Sequence, residues 1–540
     1  MMKKIWIFAL ANLLVVSVSA QEQKSTSRQA EIFYHKYEYA RAANLYERLA
    51  KKKHPKLIFL QRLATCYRMV NNYEAAAKWY AVVLEKGDTV PETRLYYADM
   101  LKSQGKYAEA KAAYAAAQQS NSQAALIANR IAGCDAAVQW MNSPSAEAVR
   151  GVPRLNTTLS DWGATWYPNG IVFMSDSLRK DLLLPGSKVD KNLYGRNNHP
   201  FYKLYLADTV NYGNVYLFDL STAFNSYRYH VGPVAFDAGF NTAWFTVTEA
   251  DKRIDGEKER FPHGLVIRGN RRLELMVSHR DSSGHWQPAE SFAYNKSSEY
   301  SIGHAALSPD GNILYFTSDM TGGQGGTDIW FSELQPNGSW GTPQNAGSVI
   351  NTADDEAFPA IAKDGTFYYS SKGGIGMGGF DIFAATGGKN QWSQPNNMRF
   401  PLNSPGDDFF FVRNGNGQGY FASNRQGGMG DDDIYSWSSP NTTTIETLKP
   451  FVPGLQIPFT ANVCPRYRRS CIYLYNKKRG IGWCYSAETG SFTATLEPDT
   501  EYVIRITTGN STSSVEFNTN GMNSSNTIEK EICPDSGIKH

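Results

Sequence analysis

The sequence predicts a multidomain chain in three unlike parts: an all-α helical repeat array, an all-β propeller of about five blades, and a small β-sandwich. Three observations carry this. Columns of Tyr and Ala return every 34 residues in the first part; paired strand motifs return every 52 or 53 residues in the second; polar and apolar side chains alternate between turns in the last. The length of 540 residues agrees with several domains, because one domain usually takes about 100 to 200.

At the N-terminus Lys3 and Lys4 precede a mostly apolar run from Ile5 to Val18, and Val18-Ser19-Ala20 before Gln21 has the small-residue form of a cleavage site. The run is shorter than the ~20 residues that span a bilayer. Residues 1–20 are therefore expected to be a signal peptide, which places the chain in an extracytoplasmic compartment, and no Cys stands at the cleavage point to carry a lipid. With 54 basic against 51 acidic residues the net charge is +3, so no single-sign field draws nucleic acid or anionic lipid.

In residues 24–145, Tyr39, Tyr73 and Tyr107, then Ala42, Ala76 and Ala110, then Tyr46, Tyr80 and Tyr114 form columns at the 34-residue interval. Tyr, Ala three later and Tyr seven later share one helical face, with the small Ala where a neighbouring helix must come close. Ala64, Ala98 and Ala132 repeat in the preceding helices, and Cys66, Met100 and Cys134 fill an equivalent column as buried apolar residues. Pro55 and Pro91 mark two helix starts, and a terminal helix is expected near Leu126 to Trp140. At these residues the chain resembles the tetratricopeptide repeat family, with about three units. Stacked helix pairs form a concave surface suited to peptides or partner proteins.

Residues 150–440 switch to short strands. Tyr315-Phe316-Thr317-Ser318, Tyr368-Tyr369-Ser370-Ser371 and Tyr420-Phe421-Ala422-Ser423 are each followed by a Gly-rich turn and a second strand: Asp328-Ile329-Trp330, Asp381-Ile382-Phe383 and Asp433-Ile434-Tyr435. Ile171 to Asp176 with Lys203-Leu204-Tyr205, and Trp244 to Val247 with Leu273-Glu274-Leu275, read as two further copies. The copies make roughly five blades. At His304-Ala305-Ala306-Leu307-Ser308-Pro309-Asp310-Gly311, and again at Pro359 to Gly365, the units resemble the WD40-like repeats of the periplasmic Tol-system propeller. Asp310-Gly311 and Asp364-Gly365 are tight-hairpin turns.

Chemistry is sparse in this pattern. Asp328, Asp381 and Asp433 are expected to cap backbone amides after the glycine turns, and Asp431-Asp432-Asp433 lacks the full oxygen-ligand loop of a calcium site. Gly374, Gly376 and Gly379 satisfy G-x-G-x-x-G, but a strand follows where a dinucleotide site needs a helix N-terminus. Walker A, H-E-x-x-H and G-x-S-x-G motifs are missing. No residue is nominated as catalytic, cofactor-binding or metal-ligating, and no cofactor is expected. The alternative is a propeller glycan-binding protein or glycosidase, in which two of Asp176, Glu249, Asp319 and Glu356 converge on one face.

In residues 455–535, Gly490 to Leu496 and Tyr502 to Ile506 alternate around Pro498-Asp499-Thr500, a small antiparallel sandwich that resembles the carboxypeptidase regulatory-like domain. Cys464, Cys471, Cys484 and Cys533 crowd this part. They can form two disulfides in any of three connectivities, and no CxxC pair favours zinc. The order of parts resembles the PorE-type component of the type IX secretion and gliding machinery. That resemblance implies a non-catalytic periplasmic scaffold, associated with the outer membrane, whose helical groove and propeller face hold envelope proteins. The family continues into an OmpA-like domain whereas this sequence ends at His540, so direct peptidoglycan binding is not part of what is implied here.

Overall fold

The computed structural model describes residues 25–118, 124–177, 193–208, 214–218, 224–248, 258–261, 265–268, 272–440, 457–464, 472–477, 481–485, 491–496, 499–508, 511–522 and 527–532. The expected signal peptide, Glu249, Cys471 and Cys533 lie outside them.

Seven helices among the described residues open the chain: α1 (Thr26–His35), α2 (Tyr39–Ala50), α3 (Leu57–Met69), α4 (Tyr73–Glu85), α5 (Pro91–Lys102), α6 (Tyr107–Gln118) and α7 (Ala124–Asn142). None is long and apolar enough to cross a membrane. Pro91 opens α5, where its missing amide hydrogen is no loss; Pro55 instead lies two residues before α3, whose N-cap is Lys56. The helices pair as α1/α2, α3/α4 and α5/α6, with α7 as the terminal helix. Tyr37, Asn71 and Gly105 turn the three pairs, and all three have left-handed φ, at 59°, 56° and 72°. The Ala and Tyr columns are core: Ala42, Ala76, Ala110, Tyr46 and Tyr114 are fully buried and Tyr80 nearly so. Their hydroxyls reach partners on the neighbouring helices. Tyr46 donates to Glu31 at 2.9 Å, Tyr114 donates to Asp99 at 2.6 Å, and Tyr80 accepts from Arg68 Nε at 3.1 Å, so burying these three phenols leaves their hydroxyls partnered.

Five four-stranded sheets follow, which makes a five-bladed propeller. The innermost strands are Asp161–Tyr167, Val231–Phe236, Ile302–Leu307, Glu356–Ile361 and Asp408–Arg413. Each carries a β-bulge. The expected strand motifs are the second and third strands of the blades, including Gly170–Ser175 with Lys203–Asp208 and Thr242–Thr248 with Leu273–His279. Blade five is completed by Ala148–Gly151, which pairs antiparallel with Asp433–Ser438 and closes the ring from the N-terminal side. Gly311 and Gly365 take the left-handed φ that their hairpins require, at 75° and 84°.

One asparagine per blade clamps the third strand. Asn225, Asn295, Asn351, Asn403 and Asn156 each accept from the amide and donate to the carbonyl of one residue: Leu204, Leu275, Ile329, Ile382 and Ile434. Both backbone hydrogen-bonding groups of one residue are thereby satisfied near the end of the strand.

After the propeller, Ile457–Val463 pairs antiparallel with Ser491–Leu496 and parallel with Ile528–Ile532, so this part is not wholly antiparallel as expected. A second sheet holds Ile472–Asn476, Ile481–Tyr485, Glu501–Thr508 and Ser511–Asn518. Phe459, Ala461 and Leu496 of the first sheet share one apolar cluster with Leu474, Tyr502 and Ile504 of the second. Cys464 is disulfide-bonded, whereas Cys66 and Cys134 are free and buried in the array; burial pushes the Cys66 thiol up to about 12.

Candidate functional site: an aromatic funnel beneath the helical array

The helical array lies across one face of the propeller, held by its interhelical turns and by α7. At the first turn the Ala40 amide donates to the Arg196 carbonyl at 3.0 Å; at the second, Arg196 Nε donates to the Met69 carbonyl at 2.5 Å. The Tyr73 hydroxyl then donates to Asp407 and accepts from Asn424 Nδ2, both at 2.7 Å. Burial and the Asp407 carboxylate push that hydroxyl well above its ordinary range, which keeps it a donor.

Blade four supplies the socket. Lys102 is buried and donates to the Gly378 carbonyl at 2.9 Å, Asn129 donates to the Gly373 carbonyl at 3.1 Å, and Met377 is fully buried among α5, α6 and α7. Arg130 bridges Asp99 in the array and Asp354 in the ring, each at 2.7 Å. Gly133 lets α7 touch this turn, since a Cβ there would stand 2.4 Å from the Gly376 carbonyl oxygen. The Gly-rich stretch that formally matches a dinucleotide loop is thus a seat for a helix.

Inside that face the five inner strands converge on the ring axis. Their bulges place Gly163, Gly232, His304, Phe358 and Phe410 at left-handed φ. For the three non-glycine residues this is a costly conformation held by surrounding packing. Trp162 has Phe409 at 5.5 Å, Phe358 at 5.7 Å and Phe410 at 6.2 Å between ring centroids. The His304 imidazole stacks on Phe358 at 4.3 Å. Its Nδ1 is sealed from solvent without a hydrogen-bond partner, and burial lowers its pKa to about 4, so the ring is neutral at pH 7.

Toward the array the aromatic floor widens. Phe380 packs 5.7 Å from Phe358 and Tyr202 lies 5.8 Å from Trp162. Tyr202, Phe380 and Asp432 all immediately precede the third strands of their blades, which puts them on one level around the axis. Trp162, Tyr202, His304, Phe358, Phe380 and Asp432 all stay partly exposed, which makes the axis a funnel.

Charged groups rim its mouth. Lys372 pairs with Asp355 at 2.9 Å and sits 4.5 Å over the Phe380 ring, and His199 pairs with Asp176 at 3.0 Å, a hydrogen bond that raises the imidazole pKa. Among the described residues Asp407 accepts from Tyr73, Asn424 and the Phe380 amide. Asp432 accepts from Ser160 Oγ at 2.9 Å, and burial pushes its carboxyl up to about 7. Among the described residues neither Asp407 nor Asp432 forms a close ion pair, although Lys372 attracts Asp407 and His199 attracts Asp432 at longer range.

Of the acids considered for sugar chemistry, Glu356, Asp176 and Asp319 carry hydrogen bonds within their own blades. Glu356 is fully buried and accepts from the Thr352 amide, Thr352 Oγ1 and Ser371 Oγ. Asp176 accepts from the Ser160 amide besides its bond with His199, and Asp319 accepts from the Ser301 amide. Each is tied to its own blade. Asp328, Asp381 and Asp433 accept from the amides of Gln324 and Gly325, Met377 and Gly378, and Met429 and Gly430, which is the capping role the glycine turns predict. Among the described residues no group of three or more His, Cys, Asp or Glu is placed to hold a metal ion. The funnel itself was missed in the sequence, although aromatic residues near the starts of the inner strands were its available signal.

No family model matches this sequence, and no curated protein matches it. Among solved structures it is similar to the GH43 endo-arabinanase from Bacillus licheniformis, at 12% identity over 52% of this chain and 93% of that one, with a TM-score of 0.30. It is also similar to a GH43 β-1,3-galactosidase, at 9% identity over 68% and 76%, TM-score 0.30. Prolyl oligopeptidase B from Galerina marginata follows, at 9% identity over 62% and 37%, TM-score 0.25. At such scores none of them bears on what this chain does.

Proposed function

We propose that this protein is a non-catalytic scaffold of a bacterial cell envelope, periplasmic and associated with the outer membrane, that holds partner proteins for a type IX secretion or gliding apparatus. On this reading the array is of the tetratricopeptide type, the ring is of the WD40-like Tol type, and the two last sheets form a carboxypeptidase regulatory-like sandwich. One observation carries it: three array turns and α7 grip the ring, fixing two binding modules in one frame. The hydrogen bonds of Glu356, Asp176 and Asp319 within their own blades fit structural roles for these three acids. The Cys464 disulfide suits an oxidising compartment.

The test is an affinity capture from envelope extracts with the full chain and with a version lacking residues 150–440. The full chain should retain outer-membrane secretion proteins, with a distinct subset lost when the ring is removed. Turnover of a saccharide or peptide that disappears in Glu356→Gln or Asp176→Asn would overturn the reading.

A further inference from the structure

Three features of the funnel point to the same ligand chemistry. The floor presents the faces and edges of Trp162, Phe358 and Phe380, and aromatic faces attract cations such as an ammonium or guanidinium. The His304 Nδ1 on that floor has no hydrogen-bond partner and the ring is neutral at pH 7, so the floor holds one unsatisfied imidazole nitrogen. At the mouth Asp407 and Asp432 form no close ion pair among the described residues, whereas the nearby cations pair with other acids, Lys372 with Asp355, Arg130 with Asp99 and Asp354, and His199 with Asp176, leaving only longer-range attraction from Lys372 to Asp407 and from His199 to Asp432. Lys372 already shows the arrangement in miniature, its ammonium lying over Phe380 beside a carboxylate.

We propose that the axial funnel is a docking site for the cationic side chain, lysine or arginine, of a partner's peptide segment, which enters past Asp407 and Asp432 and rests its charge against the aromatic floor. This deepens the scaffold reading, on which it rests, by naming the chemistry that a partner presents at the ring axis. A neutral sugar would gain ring stacking but no charge pairing with the acids at the mouth, and an anionic ligand would be repelled by them.

The test is titration of the full chain with tetralysine and tetra-arginine peptides, followed by calorimetry and by tryptophan fluorescence. Saturable binding is expected, loosened about tenfold by Asp432→Asn and by Phe358→Leu, and unchanged by Asp310→Asn, an acid in an exposed hairpin turn. Asp432→Asn keeps the shape and the Ser160 contact, and equal melting temperatures separate a lost site from a lost fold. The proposal is overturned if neither peptide saturates, if Asp310→Asn weakens binding as much as Asp432→Asn, if neither funnel variant weakens it, or if chitotetraose binds more tightly than both peptides. Peptide binding without capture of any envelope protein removes the scaffold reading and leaves the funnel in place; capture without peptide binding does the reverse.

Discussion

Glu356 shows how much the neighbours of a side chain add to what its type alone suggests. A lone carboxylate at the start of a strand suggests an acid catalyst, yet Thr352 and Ser371 occupy its oxygens from within the same blade. Burial outweighs those hydrogen bonds and pushes its pKa up to about 8. Because the folded state holds this proton more tightly than an unfolded chain does, the associated stability is complete below the unfolded value near 4.3 and is lost as pH rises from there through about 8. Glu356→Gln cannot ionise, so it should exceed the parent protein by about 1–3 kcal/mol at pH 9 and match it closely at pH 4. Urea unfolding at both pH values measures this, and equal stability of the two proteins at pH 9 would contradict it. At this scale the capping aspartates were legible, because a carboxylate after a glycine turn has an obvious local donor. The asparagine clamps were not. Asn351 and Asn403 share the strand interval, but Asn225 and Asn295 are displaced by unequal loops, and nothing in an isolated Asn names the peptide it grips.

Helices and strands differ in how much of their role local sequence contains. The 34-residue columns specify α2 to α7 closely, since helix pairing is local and most column residues are core. The same columns are silent on where the array sits: the contacts of Lys102 and Arg130 with the ring span more than two hundred residues. Gly133 is the most exposed test of that docking. Its neighbour at 2.4 Å is a backbone oxygen that no rotamer change can move, and forcing extra atoms into such a contact typically costs about 1–3 kcal/mol. In Gly133→Val, hydrogen exchange should quicken in α7 and in residues 373–379 while the strand Ile313–Ser318 keeps its protection. Uniform quickening across the ring would mean that the array and the propeller do not open separately.

The whole molecule is organised by its closure. Five blades were countable from the repeated second and third strands, but the strand that seals the ring was not, because Ala148–Gly151 is short and carries no motif. A version beginning at residue 146 should keep a sealed ring, whereas one beginning at residue 153 leaves the last strand of blade five with a bare edge. The second version should aggregate on size exclusion and melt with lower cooperativity in calorimetry; identical behaviour of the two would show that the seal contributes nothing. The position of that strand also sets an order of events. Arg150 emerges from the ribosome 286 residues ahead of Ser436, the neighbour whose hydroxyl its carbonyl will accept from. Synthesis therefore delivers a finished helical array trailing one unmatched strand, and the wheel stays unlocked until the final blade is made.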